Sequence, residues 1–305
     1  MFTPVLSVFT DVILPVIAVA AVGGLVGRRI GLELDTLQRI TFYLLSPALV
    51  FEGLASVTLG GFVLGRLVLV AVVVFITNAL LALTWSRLRH SDNESTASIA
   101  MASTAPNQGN LGLPTAVLAF GAAGLEVATV FFVIGTVLNS SAGIGVGQFA
   151  MRKGDWRQTA MTPFRYPAIY AALAGILVNV MNVDLPVAID ESVSSLAQAS
   201  IPIMLVILGM SFHVPNRGDF VDPVFVSVNR LVVAPLVAYV ALAFVGVDDA
   251  VRNIAVLMTA MPTAVSTTIL AGQLGANVGL SVRSVVVSTG LSLLTLSVLI
   301  GVFLQ

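Results

Sequence analysis

Apolar runs of about twenty residues recur along this chain from end to end, the length a helix needs to cross a bilayer core about 30 Å thick. Ten intervals fit: 8–27, 38–57, 64–86, 95–121, 125–149, 164–182, 191–212, 223–246, 250–275 and 280–304. Glycine, proline and charge mark the joints, as in GRRIGLELD, RLRHSDNE and VPNRGD, and no polar segment is long enough for a separate domain. Only 10% of the 305 residues are charged and the mean hydropathy is +1.02, whereas a soluble domain carries about 25% charged residues. The expected fold class is therefore an all-α integral membrane protein with ten transmembrane helices. The first run lacks a positive leader and carries Arg28 and Arg29 after its apolar stretch, so it reads as a retained span rather than a signal peptide.

Composition also removes function classes. A net charge of −1 argues against nucleic acid as a partner. With no cysteine, disulfides, thiolate catalysis and cysteine-ligated metals are excluded. No cofactor and no metal site are expected.

Basic residues set the orientation. The joints after spans 1, 3, 5, 7 and 9 hold Arg28, Arg29, Arg39, Arg87, Arg89, Arg152, Lys153, Arg157, Arg165, Arg217 and Arg283, eleven of the fourteen. The opposite joints hold only Arg66 and Arg252, beside Glu126, Asp184, Asp190, Glu191, Asp248 and Asp249. This bias predicts cytoplasmic odd joints and both termini on the non-cytoplasmic side of the cell membrane.

The halves 1–150 and 151–305 share punctuation. Pro15 precedes Gly23 by eight residues, as Pro167 precedes Gly175; Pro47 to Pro106 is 59 residues and Pro202 to Pro262 is 60. Five spans is an odd number, so a second copy enters the membrane upside down. Inverted five-helix repeats place a transporter site at the midplane, where discontinuous helices meet.

The stretch STAPNQGNLGLPTAV, residues 103–117, interrupts such a run with Pro106, Asn107, Gln108, Gly109, Asn110, Gly112 and Pro114. Pro106 lies about ten residues into span 4, roughly 15 Å deep at 1.5 Å per residue. Pro262 reaches a similar depth in span 9 from the opposite face. Each proline lacks an N–H and clashes with the preceding turn. Backbone freed in this way is tolerated in lipid only when buried in protein or lining a water-filled cavity. Either these residues bind something, or two broken helices cross there and satisfy each other. The positive ends of the half-helices that follow would favour an anion.

APNQGNLGLP resembles the broken fourth helix of the auxin efflux carrier family, the PIN-like transporters and their prokaryotic relatives. The likeness extends to ten spans, short joints and a second crossover proline in MPTAVSTT. It implies a scaffold of spans 1, 2, 6 and 7 that mediates a homodimer. It also implies a transport domain of spans 3–5 and 8–10, which carries a small organic anion by an elevator-type motion. Pro106 and Pro262 would be the crossover prolines and Asn107 the reader of a substrate carboxylate. The second crossover here is Pro262-Thr263-Ala264, where plant members read Pro-Asn-Thr, and Val50 stands where they place a serine. These departures argue against auxin, and the resemblance to the prokaryotic relatives implies a small carboxylate such as malate or malonate.

The candidate substrate-binding set is Pro106, Asn107, Gly109, Asn110, Asn139, Pro262, Thr263 and Ser266. Asn139, Ser140 and Ser141 fall in mid-span 5, although serines there are more often packing contacts. Ser266 and Thr267 follow the second proline. Glu52 and Arg230 are intramembrane charges, suspects for coupling or structural roles. Asp11 and Gln148 read as interfacial, and His90 and His213 as solvated. A sodium-coupled bile-acid-type symporter shares the crossed-helix design, but it needs acids beside the crossover and none lies there. An anion channel could line its pore with the same break. An intramembrane enzyme lacks a catalytic set, and a receptor or scaffold would bind without flux.

Overall fold

The computed structural model describes residues 2–303 apart from 153, 155 and 213–217. The readings of Lys153, His213 and Arg217 therefore lie outside the described residues. Within them the regular structure is helical. Six helices are long and apolar enough to cross a membrane: α1 (Val5–Ile30), α3 (Gly61–Leu88), α5 (Gln108–Ala150), α8 (Val187–Met210), α9 (Val221–Val245) and α12 (Val278–Gly301). The other expected spans fall on shorter or divided helices. These are α2 (34–55), α4 (Asn93–Thr104), α7 (Pro167–Met181), α10 (Asp249–Thr259) and α11 (Ser266–Leu274), with a short α6 (Trp156–Met161) before α7.

Local sequence explains several irregularities. Four helices widen into a π turn, Phe9–Ile13, Thr41–Leu45, Gln108–Gly112 and Asn229–Val233, two residues before Pro15, Pro47, Pro114 and Pro235. Proline cannot donate, and its ring pushes away the carbonyl four residues back, so the preceding turn opens. Gly121 divides α5 into two legs with φ 62° and ψ −143°, a region essentially reserved for glycine. The expected joint between 121 and 125 falls at this turn.

The periphery is apolar, unlike that of a soluble protein. Leu25 and Phe244 are exposed at 72% and 87%, consistent with a lipid-facing periphery. Small and polar residues such as Ser98, Thr115 and Ser200 are fully buried inside, as expected where small residues let membrane helices approach. Helix α1 approaches α8 closely: a Cβ on Gly209 would collide with the Ala20 carbonyl oxygen. Helix α2 packs on α7 and α8, whereas α3, α4, α9 and α12 pack among themselves and α10 packs on α5.

Candidate substrate site

Helix α4 starts at Asp92, whose carboxylate accepts from the Ser95 amide at 2.7 Å. It stops at Thr104 because Pro106 denies Ala105 the helical region; Ala105 adopts φ −101°, ψ 95°. Helix α10 is capped likewise by Asp248, which accepts from the Ala250 amide at 2.9 Å. It stops at Thr259, ahead of Pro262.

The two non-helical stretches meet. Pro106 and Thr263 form an antiparallel bridge. The Asn107 amide donates to the Pro262 carbonyl at 2.7 Å, and the Ala264 amide donates to the Ala105 carbonyl at 2.8 Å. Each break thus supplies the hydrogen bonds that the other lost, as backbone away from water requires. Thr263 fastens the pair further. Its hydroxyl donates to Ala102 O at 3.0 Å and its amide donates to Ser288 Oγ at 3.1 Å.

Beyond the meeting point the helices resume at Gln108 and Ser266. Their first turns border a cavity of about 490 Å³, within the usual range for small-ligand sites. Pro106, Asn107, Gly109, Asn110, Asn139 and Ser266 all line it. Pro262 and Thr263 are not in its lining and instead bond to the stretch around Pro106. Glu52 and Arg230 are outside the lining; Arg230 is 1% exposed. Ser140 and Thr267 line the cavity too, while Ser141 and Gln148 do not.

The polarity of the cavity is selective. Asn107 is 4% exposed and its Nδ2 has no hydrogen-bond partner, nor has the buried Asn139 Oδ1. A buried amide left unpaired costs about 1–3 kcal/mol, so both groups favour an occupant that completes them. No acid lines the cavity among the described residues, and Arg39 is its one charged side chain there. Two helix N-termini, a free amide donor and no carboxylate favour negative charge.

A further part of the lining carries no signal of its own in the sequence. Gln38, Arg39, Phe42, Tyr43 and Tyr166 form it. The 38, 42 spacing marks one helical face, but these residues stand beside a joint, where polar and aromatic side chains read as interfacial. Arg39, paired with Asp35 at 2.8 Å, served in the sequence only to orient the chain.

Comparisons with known proteins fit this geometry. A family model described as "Membrane transport protein" matches residues 156–300. An "uncharacterized transporter" of Methanothermobacter thermautotrophicus is 30% identical over 302 residues, covering 94% of this chain and 96% of that protein. A protein of Rhizobium meliloti named "putative malonate transporter" is 24% identical over 308 residues, covering 94% and 93%.

Proposed function

The chain belongs to the auxin efflux carrier family of membrane transporters, and from that premise we propose that it carries a small carboxylate across the cell membrane. The cargo binds where the two chain breaks meet. The observation that carries this reading is the buried, unpartnered Asn107 Nδ2 at the edge of a cavity bordered by two helix N-termini. A carboxylate oxygen accepting from that amide removes the orphaned donor, and the helix dipoles offset the cargo's charge. The name of the Rhizobium relative makes malonate the first anion to try.

In this reading the ten spans form two inverted repeats, 1–150 and 151–305, with spans 4 and 9 broken at their prolines. Spans 1, 2, 6 and 7 are a scaffold that pairs as a homodimer, and spans 3–5 and 8–10 move the cargo as an elevator. The packing of α1 on α8 and of α2 on α7 supports that division. So does the cavity, which both groups line: residues 38–46, 166–168, 204 and 207 from the first, and residues 101–110, 132–143 and 264–273 from the second.

The test is uptake of labelled malonate, malate and acetate into proteoliposomes, with saturation and counterflow recorded. Saturable uptake accelerated by anion loaded on the far side supports a carrier. Flux that rises linearly with concentration and ignores preloading overturns it in favour of a channel.

A further inference from the structure

The crossing holds a cation that no acid among the described residues answers. Arg230 belongs to the π turn of α9 and is 1% exposed, with no ion pair among the described residues. Its Nη2 donates to Thr259 O at 2.8 Å and to Met261 O at 3.1 Å, and its Nε donates to Met261 O at 3.3 Å. Its Nη1 reaches Ser103 O at 3.5 Å. These acceptors lie at or just beyond the C-terminal ends of α4 and α10. The last carbonyls of a helix lack intrahelical partners and carry the negative end of its dipole. One planar guanidinium therefore draws together two carbonyl-rich ends, while the first turns of the two following helices line the cavity and Arg230 does not. Fully buried Asn78 borders a small void against Arg230, and Pro106 and Gln108 line both that void and the main cavity.

We propose that Arg230 is a tethered cation seated in a cage of carbonyls at the two helix ends, where it sets the charge preference of the site. The inference rests on the carboxylate-carrier reading above. A guanidinium stays protonated at any physiological pH and cannot leave with the cargo. It is costly to bury without an acid. Carbonyl dipoles offset part of that cost, and an anion bound beyond the crossing offsets more. Arg230 does not touch the cargo; it acts by position and field.

The experiment compares Arg230→Lys, Arg230→Gln and Arg230→Ala in malonate uptake by proteoliposomes, with thermal midpoints recorded in parallel. Lysine keeps the charge without the planar fork, so KM for malonate is expected to stay within about threefold while Vmax falls. Glutamine removes the charge, and KM is expected to rise about tenfold, the size of one unit charge acting across a partly screened interior. The rise should be smaller for the singly charged monomethyl ester of malonate. In Arg230→Ala, millimolar guanidinium is expected to restore uptake, while urea, planar and neutral, is not. Equal KM changes in Lys and Gln, or equal rescue by urea and guanidinium, would overturn the tethered-charge assignment. Asn107→Ala in the same assay separates the two ideas. If it abolishes uptake while the Arg230 variants keep wild-type KM, only the Arg230 inference falls. If the wild type moves no anion, the carboxylate reading falls and this inference falls with it.

Discussion

The backbone amide of Asn107 donates to the carbonyl of Pro262 at 2.7 Å, joining two helix breaks that lie far apart in the chain. Because this bond uses main-chain atoms, the Asn107 side chain is spared for the cavity. A substitution there changes chemistry without undoing the crossing.

Asn107→Ala is accordingly expected to lower malonate uptake by about ten- to a hundredfold, the worth of a hydrogen bond to a charged group, and to leave the thermal midpoint nearly unchanged. Asn107→Asp should do more harm, since it sets a carboxylate against the cargo. Uptake at wild-type rate in Asn107→Ala would remove the residue from the site.

Pro262→Ala tests the break itself. Alanine permits helix where proline forbids it, so the 260–264 stretch can extend α10 and draw the carbonyl of residue 262 away from the Asn107 amide. Uptake is expected to fall at least tenfold, with a lowered thermal midpoint.

Gly135 leaves room for Gln108. A Cβ at position 135 would collide with Gln108 Oε1, and Gln108 is 6% exposed with its Nε2 donating to Met258 O at 3.4 Å. Gly135→Ala should cost about 1–3 kcal/mol by overpacking, read as a drop in midpoint. Adding Gln108→Ala to it should recover part of the loss.

Glu126 Oε1 accepts from the Thr58 amide at 2.5 Å, the Thr58 hydroxyl at 3.0 Å and the Leu59 amide at 3.1 Å. All three bonds reach one oxygen, which glutamine also possesses. Glu126→Gln is expected to be mild and Glu126→Ala to cost about 1–2 kcal/mol at this partly exposed place, measured by thermal unfolding in detergent.

A chain without cysteine allows orientation to be read directly. Asp184→Cys should react with a membrane-impermeant maleimide on intact cells, whereas Asn93→Cys should react only after permeabilisation. The reverse pattern would invert the orientation drawn from the arginines.

How much of this was legible in the sequence differs from residue to residue. The ends of α4 and α10 were, because Pro106 and Pro262 act locally, through a missing N–H and a steric clash. So was the division at Gly121, where a glycine-rich turn interrupts an apolar run. That the stretches around Pro106 and Pro262 touch was only suggested, since pairing between distant segments leaves no local trace beyond matching depth. Thr263 stands out in the sequence only as the neighbour of a proline, and the bond from its hydroxyl to Ala102 O leaves no local mark there. Arg230 was the least readable. A lone arginine two turns inside an apolar run looks the same whether it reaches for headgroups or for carbonyls, and only the position of α10 decides. The wall around Phe42 and Tyr166 was hidden for a related reason, because aromatic residues near a joint suit an interface equally well.

The bond from Thr263 to Ala102 spans 161 positions in the chain. During synthesis the pocket beside it therefore cannot close until the second proline has left the ribosome, and before then the stretch from Ala105 to Asn107 must keep its backbone groups hydrated or borrow partners. Contacts so remote in sequence form slowly. The nascent first half is thus the period of greatest exposure, when chaperones and the insertion machinery have most to gain from holding that polar segment near water.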